Sequence, residues 1–337
     1  MSHELDFSKG FPAIAFRGDL PWHGFGQEMS GEENIDEWTE KAGLDYEVLT
    51  RPAYFLGTDG EQVSIPNAKA LVRSDNDRTL AMVSQRYKPV QPKTVIEFFR
   101  SLCERQGFEM ETAGALGDGR KVWALARIGK DFILPPDDKI EGYLLLATSY
   151  DGKFATTAQL TSIRVVCNNT LEWSLGSDQA RVVRVTHSQN FDPDSVKANL
   201  GLLDEGWIGF TSQIKMLAET PVSMHEAVQY FMKLTDNEDE DPQFAIDNSY
   251  ILKKMLQAYE HAPGQHLASA EGTAWGLVNA VTYFTDHTRK ASDNGSRVAS
   301  AWFGNSAGLK RKAFDAALDI AGEKRNQPLP GLTIREV

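Results

Sequence analysis

The chain has 337 residues, 41% of them hydrophobic and 24% charged, which suffices for a packed core and excludes a wholly disordered polymer. No stretch approaches the ~20 apolar residues of a membrane span, and the start carries Glu4, Asp6 and Lys9 instead of the apolar run of a secretory signal. Two cysteines, Cys103 and Cys167, cannot build a disulfide framework or a four-ligand zinc site, so a cytoplasmic, reduced setting with no metal and no cofactor is expected.

The net charge of −12 argues at first against a polyanionic partner, but it is unevenly spread. Residues 1–68 hold 4 basic and 13 acidic side chains, residues 69–130 hold 12 basic and 7 acidic, and residues 185–337 hold 14 basic and 20 acidic. A basic segment inside an acidic chain marks a candidate anion-binding surface.

Residues 1–44 read as a lead-in: Pro21-Trp22-His23-Gly24-Phe25-Gly26, then a short acidic helix near 35–43. Residues 45–190 read as a β-rich core. Strand-like segments at 46–55, 68–73 and 79–84 come first, the last two joined by the turn residues Ser74-Asp75-Asn76-Asp77. Pro92 then opens a helix to about residue 107, with Val95, Ile96, Phe99, Leu102 and Cys103 at helical spacing. A hairpin of 109–116 and 121–128 turns at Gly117-Asp118-Gly119, and another pairs 143–149 with 154–160 across Asp151-Gly152. An apolar run at 162–167 leads into Asn168-Asn169-Thr170; if a helix starts near Leu171, Asn169 or Thr170 caps it. Residues 191–326 read as helical. Segments are expected from Asp192-Pro193 to about 219, then at 223–234, 244–260, 271–290 and 307–323, with Asp236–Asp241 as an acidic linker and 327–337 as a flexible tail. The class is therefore α+β, a β-rich N-terminal and middle region with an inserted helix, followed by helices.

No catalytic residue is assigned. Gly114, Gly117 and Gly119 have the wrong spacing for a dinucleotide loop, no phosphate-binding G-x-x-x-x-G-K-[ST] loop occurs, and the seven histidines never take a compact metal spacing. Three segments carry polar chemistry. Arg86-Tyr87-Lys88-Pro89-Val90-Gln91 interleaves cations with a ring and an amide, a set that holds phosphates while a base stacks, or else a loop whose tyrosine covers the core edge. Arg164-Val165-Val166-Cys167-Asn168-Asn169-Thr170 brings a cation and amides to a strand end. Trp275, Asn279, Tyr283 and His287 lie at i, i+4, i+8 and i+12 with Asp286 beside them, one helix face that serves either a ligand or a packed interface. Residues 288–312 follow with six basic side chains against one acidic.

Together with Pro21-Trp22-His23-Gly24 and Ser300-Ala301-Trp302-Phe303-Gly304, these segments resemble the phage/plasmid-like proteins carrying domain of unknown function 932, over residues 20–325. The resemblance implies a mobile element in a bacterial host cell, and no activity. At the level of fold alone, the 69–130 segment is similar to Rad52-like single-strand annealing proteins, although only two clear strands of the 68–84 hairpin immediately precede the helix here. The leading expectation is a non-enzymatic protein that binds single-stranded DNA or RNA as a recombination or annealing helper and forms homo-oligomers. Arg73, Arg86, Lys88, Arg120, Lys121 and Arg164 would hold phosphates, Tyr87 and Trp123 would stack, and Gln91, Asn168 and Asn169 would add polar contacts. Two alternatives stay open. One is an interaction protein whose acidic segments 1–68 and 236–241 face a host factor. The other is a nucleotide-directed enzyme assembled from His187 or His287, Asp286 and Cys167.

Overall fold

The computed structural model describes residues 6, 8–18, 26–31, 33–164, 166, 169–172, 174–175, 179–180, 182–200, 203–291, 297, 300–302 and 304–326. The 21–25 lead-in, Cys167, Asn168 and the 327–337 tail lie outside them. Strands β1 (Ile14–Phe16) and β2 (Gln27–Glu28) precede helix α1 (Ile35–Lys41), whose N-cap Asn34 and Glu37 form a reciprocal capping box. Three strands follow, β3 (Val48–Leu56), β4 (Gln62–Arg73) and β5 (Thr79–Ser84), then α2 (Pro92–Gln106), which stops at Gly107 in the left-handed conformation, φ 70°. The remaining strands are β6 (Glu109–Leu116), β7 (Lys121–Leu134), β8 (Asp138–Ser149), β9 (Thr156–Arg164), β10 (Asn169–Glu172), β11 (Ser174–Leu175), β12 (Gln179–Ala180) and β13 (Val182–Val185).

Most strands form one sheet in the order β10-β9-β8-β7-β6-β1-β2, with β13 also on β9. A separate sheet, β3-β4-β5, precedes α2, and β11 pairs with β12. The strands before and after α2 thus belong to different sheets. Alternation along β7 and β8 explains how the large sheet is covered. Val122, Ala124, Ala126, Leu144 and Leu146 face the main core with α2 residues Val95, Ile96, Phe99 and Leu102, while Trp123, Leu125, Tyr143, Leu145 and Ala147 form a second apolar cluster on the other face. The β7–β8 hairpin is longer than periodicity suggests, pairing on to Leu134↔Asp138.

The C-terminal helices are α3 (Pro193–Leu200), α4 (Leu203–Ala218), α5 (Met224–Leu234), α6 (Pro242–Asn248), α7 (Tyr250–His261), α8 (Ala274–Tyr283) and α9 (Asn305–Asn326), with a π turn, Phe284–Thr288, continuing α8. The expected single helix at 244–260 is two, because Ser249 is extended and caps α7 by accepting from the Leu252 amide. No helix starts at Leu171: Asn169–Glu172 is β10, paired antiparallel with β9, so neither Asn169 nor Thr170 is a cap. The architecture is α+β, and its buried core passes without a break from Ala13 through the strands to Phe314 on α9.

Arg73, at the end of β4, joins the two sheets. It is fully buried, makes a bidentate pair with Asp75 (2.9 and 2.7 Å), pairs with Asp6, donates to the Asp118 carbonyl in the β6–β7 turn (3.2 Å), and lies 3.9 Å from the centre of the Tyr46 ring. Its carboxylate partners hold its pKa above even the usual guanidinium range. Replacing Arg73 by leucine leaves the buried Asp6 without its cation and Asp75 without its bidentate partner, and urea unfolding should show a loss of about 3–5 kcal/mol; a loss below about 1 kcal/mol would contradict this account of the junction.

Candidate functional site

The Arg86–Gln91 hexamer leaves β5 and packs on the end of the large sheet. Tyr87 donates its hydroxyl to the Ser149 carbonyl, and Tyr150 donates its own to the Val90 carbonyl (2.7 Å). The Tyr150 amide donates to the Arg120 carbonyl (2.7 Å), which brings the β6–β7 turn alongside. Gln91 lies flat against β3: its Oε1 accepts from the Val48 amide (2.8 Å) and its Nε2 donates to the Val48 carbonyl (3.2 Å). The hexamer, the 117–120 turn and the 149–154 turn therefore meet in one rim.

His187 completes the rim. Its ring stacks on Tyr87, with centroids 4.4 Å apart and planes 19° from parallel. Its Nε2 lies 3.1 Å from the Phe154 carbonyl oxygen, so Nε2 carries the proton and the lone pair sits on Nδ1, a buried atom with no hydrogen-bond partner among the described residues. Burial lowers the His187 pKa, and the same effect raises that of Tyr87.

The sequence-derived residues divide by exposure. Arg86, Lys88 and Arg120 are exposed cations on or beside the rim, although Arg120 also donates Nε to the Gly117 carbonyl (2.8 Å). Arg73 is withdrawn from the phosphate contacts, because its donors are directed at Asp6, Asp75 and Asp118 with no water-facing surface. Lys121 is withdrawn as well, being 8% exposed. Trp123 is not an open stacking ring: it is buried edge-on against Trp302, centroids 6.2 Å apart. Tyr87 already has one face on His187, and the amide of Gln91 serves β3. The backbone of Arg164 pairs with Ile140 and Asn169, and Asn168 is outside the described residues.

The polar helix face divides in the same way. Trp275 and Asn279 are buried; the indole donates to Asp138 Oδ2 (3.3 Å), which also accepts from Ser269 Oγ (2.6 Å), and the Asn279 amide donates to the Trp275 carbonyl (2.8 Å). These two residues are packing contacts of α8. Tyr283, Asp286 and His287 lie where α8 passes into the π turn, the rings of Tyr283 and His287 4.9 Å apart.

Sequence reading missed the β3–β4 arm. Beyond the Ala68↔Ser84 pair, β4 loses β5 as a neighbour, and the two strands continue alone to Leu56↔Gln62. An irregularity between Pro52 and Tyr54 lies opposite the segment with Pro66, where proline is tolerated because no ladder bond is lost. On the arm, Tyr54 is 52% exposed, Phe55 53% and Leu56 72%, and Phe55 faces Val63 across the pair. The strand expected at 46–55 carries no local sign of its exposure, which only the structure shows.

Among the described residues, no cluster of histidine, cysteine or carboxylate is placed to hold a metal ion, and no helix is long and apolar enough to cross a membrane. The family model for the domain of unknown function 932 matches residues 79–302, two thirds of the chain, and the chain belongs to that family. The match takes in the rim and the π turn and begins after the arm. No curated protein and no solved structure matches the chain.

Because the folded pKa of His187 lies below its unfolded value, the native state binds its proton less readily. The contribution to stability is present above the ordinary value of about 6.5 and is lost as pH falls from there through the lower folded value. Urea midpoints should drop between about pH 7.5 and about pH 5.5, and His187→Phe, which keeps a ring on Tyr87, should flatten part of that drop. An identical pH profile in the variant would remove His187 as its source.

Proposed function

We propose that the protein binds single-stranded nucleic acid, with the β3–β4 arm as stacking platform and the adjacent cations as phosphate contacts. The observation that carries this reading is the exposure of two aromatic rings, Tyr54 and Phe55, on strands that no other described element covers. Alternation puts Tyr54 and Leu56 on one face of the arm and Phe55 with Val63 on the other. Each face thus offers one ring beside an exposed aliphatic side chain, and exposed apolar surface of this kind marks a binding surface. Unpaired bases suit such rings, since every base offers a π face and stacking needs no particular sequence.

The cations lie where a strand passing the arm would find them. Arg51 is exposed in the row Arg51↔Ala70↔Met82, and Arg86 follows the end of β5, where Gln85 donates to the Ala68 carbonyl (3.0 Å). Lys88 and Arg120 continue along the rim. This set replaces the one that included Arg73, Lys121 and Trp123. A protein of a mobile element that holds single strands in this way would serve as a recombination or annealing helper, and its cytoplasmic setting follows from that role.

A second reading uses the same arm. Leu56 and Val63 add aliphatic surface, and β3 has an open edge, so a second copy could pair there and build the oligomer that annealing proteins form.

Fluorescence anisotropy with labelled oligo(dT) tests the proposal. Four phosphate contacts predict a slope of roughly −3 in log K against log salt, and Tyr54→Ala or Phe55→Ala should each weaken binding by about 1–3 kcal/mol. Salt-insensitive binding, or none at all, refutes it. Light scattering on the same variants reports on the second reading: a wild-type oligomer that becomes monomeric when Leu56 or Phe55 is replaced assigns the arm to self-association.

A further inference from the structure

The π turn assembles a second polar cluster that the arm and rim do not use. The Arg289 amide donates to the Phe284 carbonyl five residues back (2.7 Å), so the turn holds one residue more than an α-helical turn. Such insertions recur at functional sites because they redirect side chains that a regular helix would aim elsewhere. Here the turn and its exit bring Asp286, His287 and Arg289 to the start of α9.

The cluster is held by specific contacts. Arg289 Nη1 donates to Ser306 Oγ (3.0 Å), and the hydroxyls of Ser300 and Ser306 are 3.0 Å apart. Arg297 Nη1 donates to the His287 carbonyl (2.7 Å). Lys310 Nζ lies 2.7 Å from Asp286 Oδ1, with side chains 4% and 8% exposed, a buried ion pair that ties the π turn to α9.

The guanidinium groups of Arg289 and Arg297 each place Nη1 on a neutral oxygen, and among the described residues neither has a carboxylate partner. The Nε–H of Arg297 is buried and has no acceptor among the described residues. A buried guanidinium donor left without an acceptor is costly, and an anion is the partner it favours. The adjoining N-terminus of α9, a helix of 22 residues, adds positive potential at the same place. Arg289, Arg297 and Ser300 are all half-buried, sheltered enough to strengthen an ionic bond and still open to solvent.

We propose that Arg289, Arg297, Ser300 and Ser306 form a phosphoryl-binding site at the N-terminus of α9. Two planar forks and the Ser300 hydroxyl match a tetrahedral oxyanion with several acceptor oxygens, while Ser306, 1% exposed, lies behind them and orients Arg289 and Ser300. The phosphoryl group belongs either to a free nucleotide or to the backbone of a strand. The site stands independently of the arm.

Calorimetric titration with inorganic phosphate, thymidine monophosphate and oligo(dT) tests the site and separates the sources. The wild-type chain should bind at least one probe, and the Arg289→Gln, Arg297→Gln double variant should bind that probe at least tenfold more weakly. Loss confined to the monophosphate assigns a nucleotide site, and loss confined to the oligonucleotide assigns a strand contact. Tyr54→Ala should leave binding of the monophosphate unchanged, which keeps failure of this site distinct from failure of the arm. Should the double variant not fold, thermal melting of the wild-type chain in phosphate against chloride at equal ionic strength decides the question. No probe bound, undiminished binding in the folded variant, or no shift in melting temperature overturns the proposal.

Discussion

A guanidinium removed from water needs an acceptor for its donors, and at Arg73 those acceptors come from the adjoining turn and from two distant parts of the chain. Asp6 belongs to the N-terminal segment, Asp75 to the β4–β5 turn and Asp118 to the β6–β7 turn. The cation thus locks the small sheet to the large one. Its surroundings fit closely: Gly119 has φ +91°, and a methyl group there would come within 2.7 Å of Tyr46 Oη and 2.8 Å of Arg73 Nη1. A buried ion network of this kind contributes little net stability compared with an apolar core. What it does provide is geometry, because each bond holds only in one arrangement of the two sheets.

That geometry is what makes an exposed arm possible. With the base of β4 anchored at Arg73, β3 and the distal part of β4 can extend beyond β5 while their root stays fixed. The rim is organised from the same junction: Arg73 fixes the 118–119 turn, the next residue accepts the Tyr150 amide, and Tyr150 in turn holds Val90 of the hexamer. The exposed cations Arg86, Lys88 and Arg120 therefore sit on a rigid base, which lowers the entropic cost of holding a charged ligand. Membership in a family defined without an activity leaves such physical features as the basis for a functional reading.

Much of the fold was legible locally. Turn residues located the hairpins, Pro92 opened α2, and the helices expected near 35–43 and at 223–234 are α1 and α5. The failures share a cause. Asn169-Thr170 has cap chemistry, but antiparallel pairing with β9 outweighed it. Ser249 interrupts an apparently continuous helical pattern by accepting the Leu252 amide. At the candidate sites, residue type was a poor guide to availability. Arg73, Lys121 and Trp123 have the right chemistry for a nucleic-acid surface, yet all three are buried.

By itself, the sequence determined the α+β class, the position of most elements and the polar segments worth inspecting, because periodicity, turns and caps act over a few residues. Only the tertiary structure decided which of those side chains face water. Exposure depends on what packs above a residue, and that layer is contributed by chain far away in sequence: Trp302 over Trp123, His187 on Tyr87, Asp6 on Arg73. Tyr54 and Phe55 show the same principle in reverse, large side chains in an unremarkable strand that remain open because no other described element covers them.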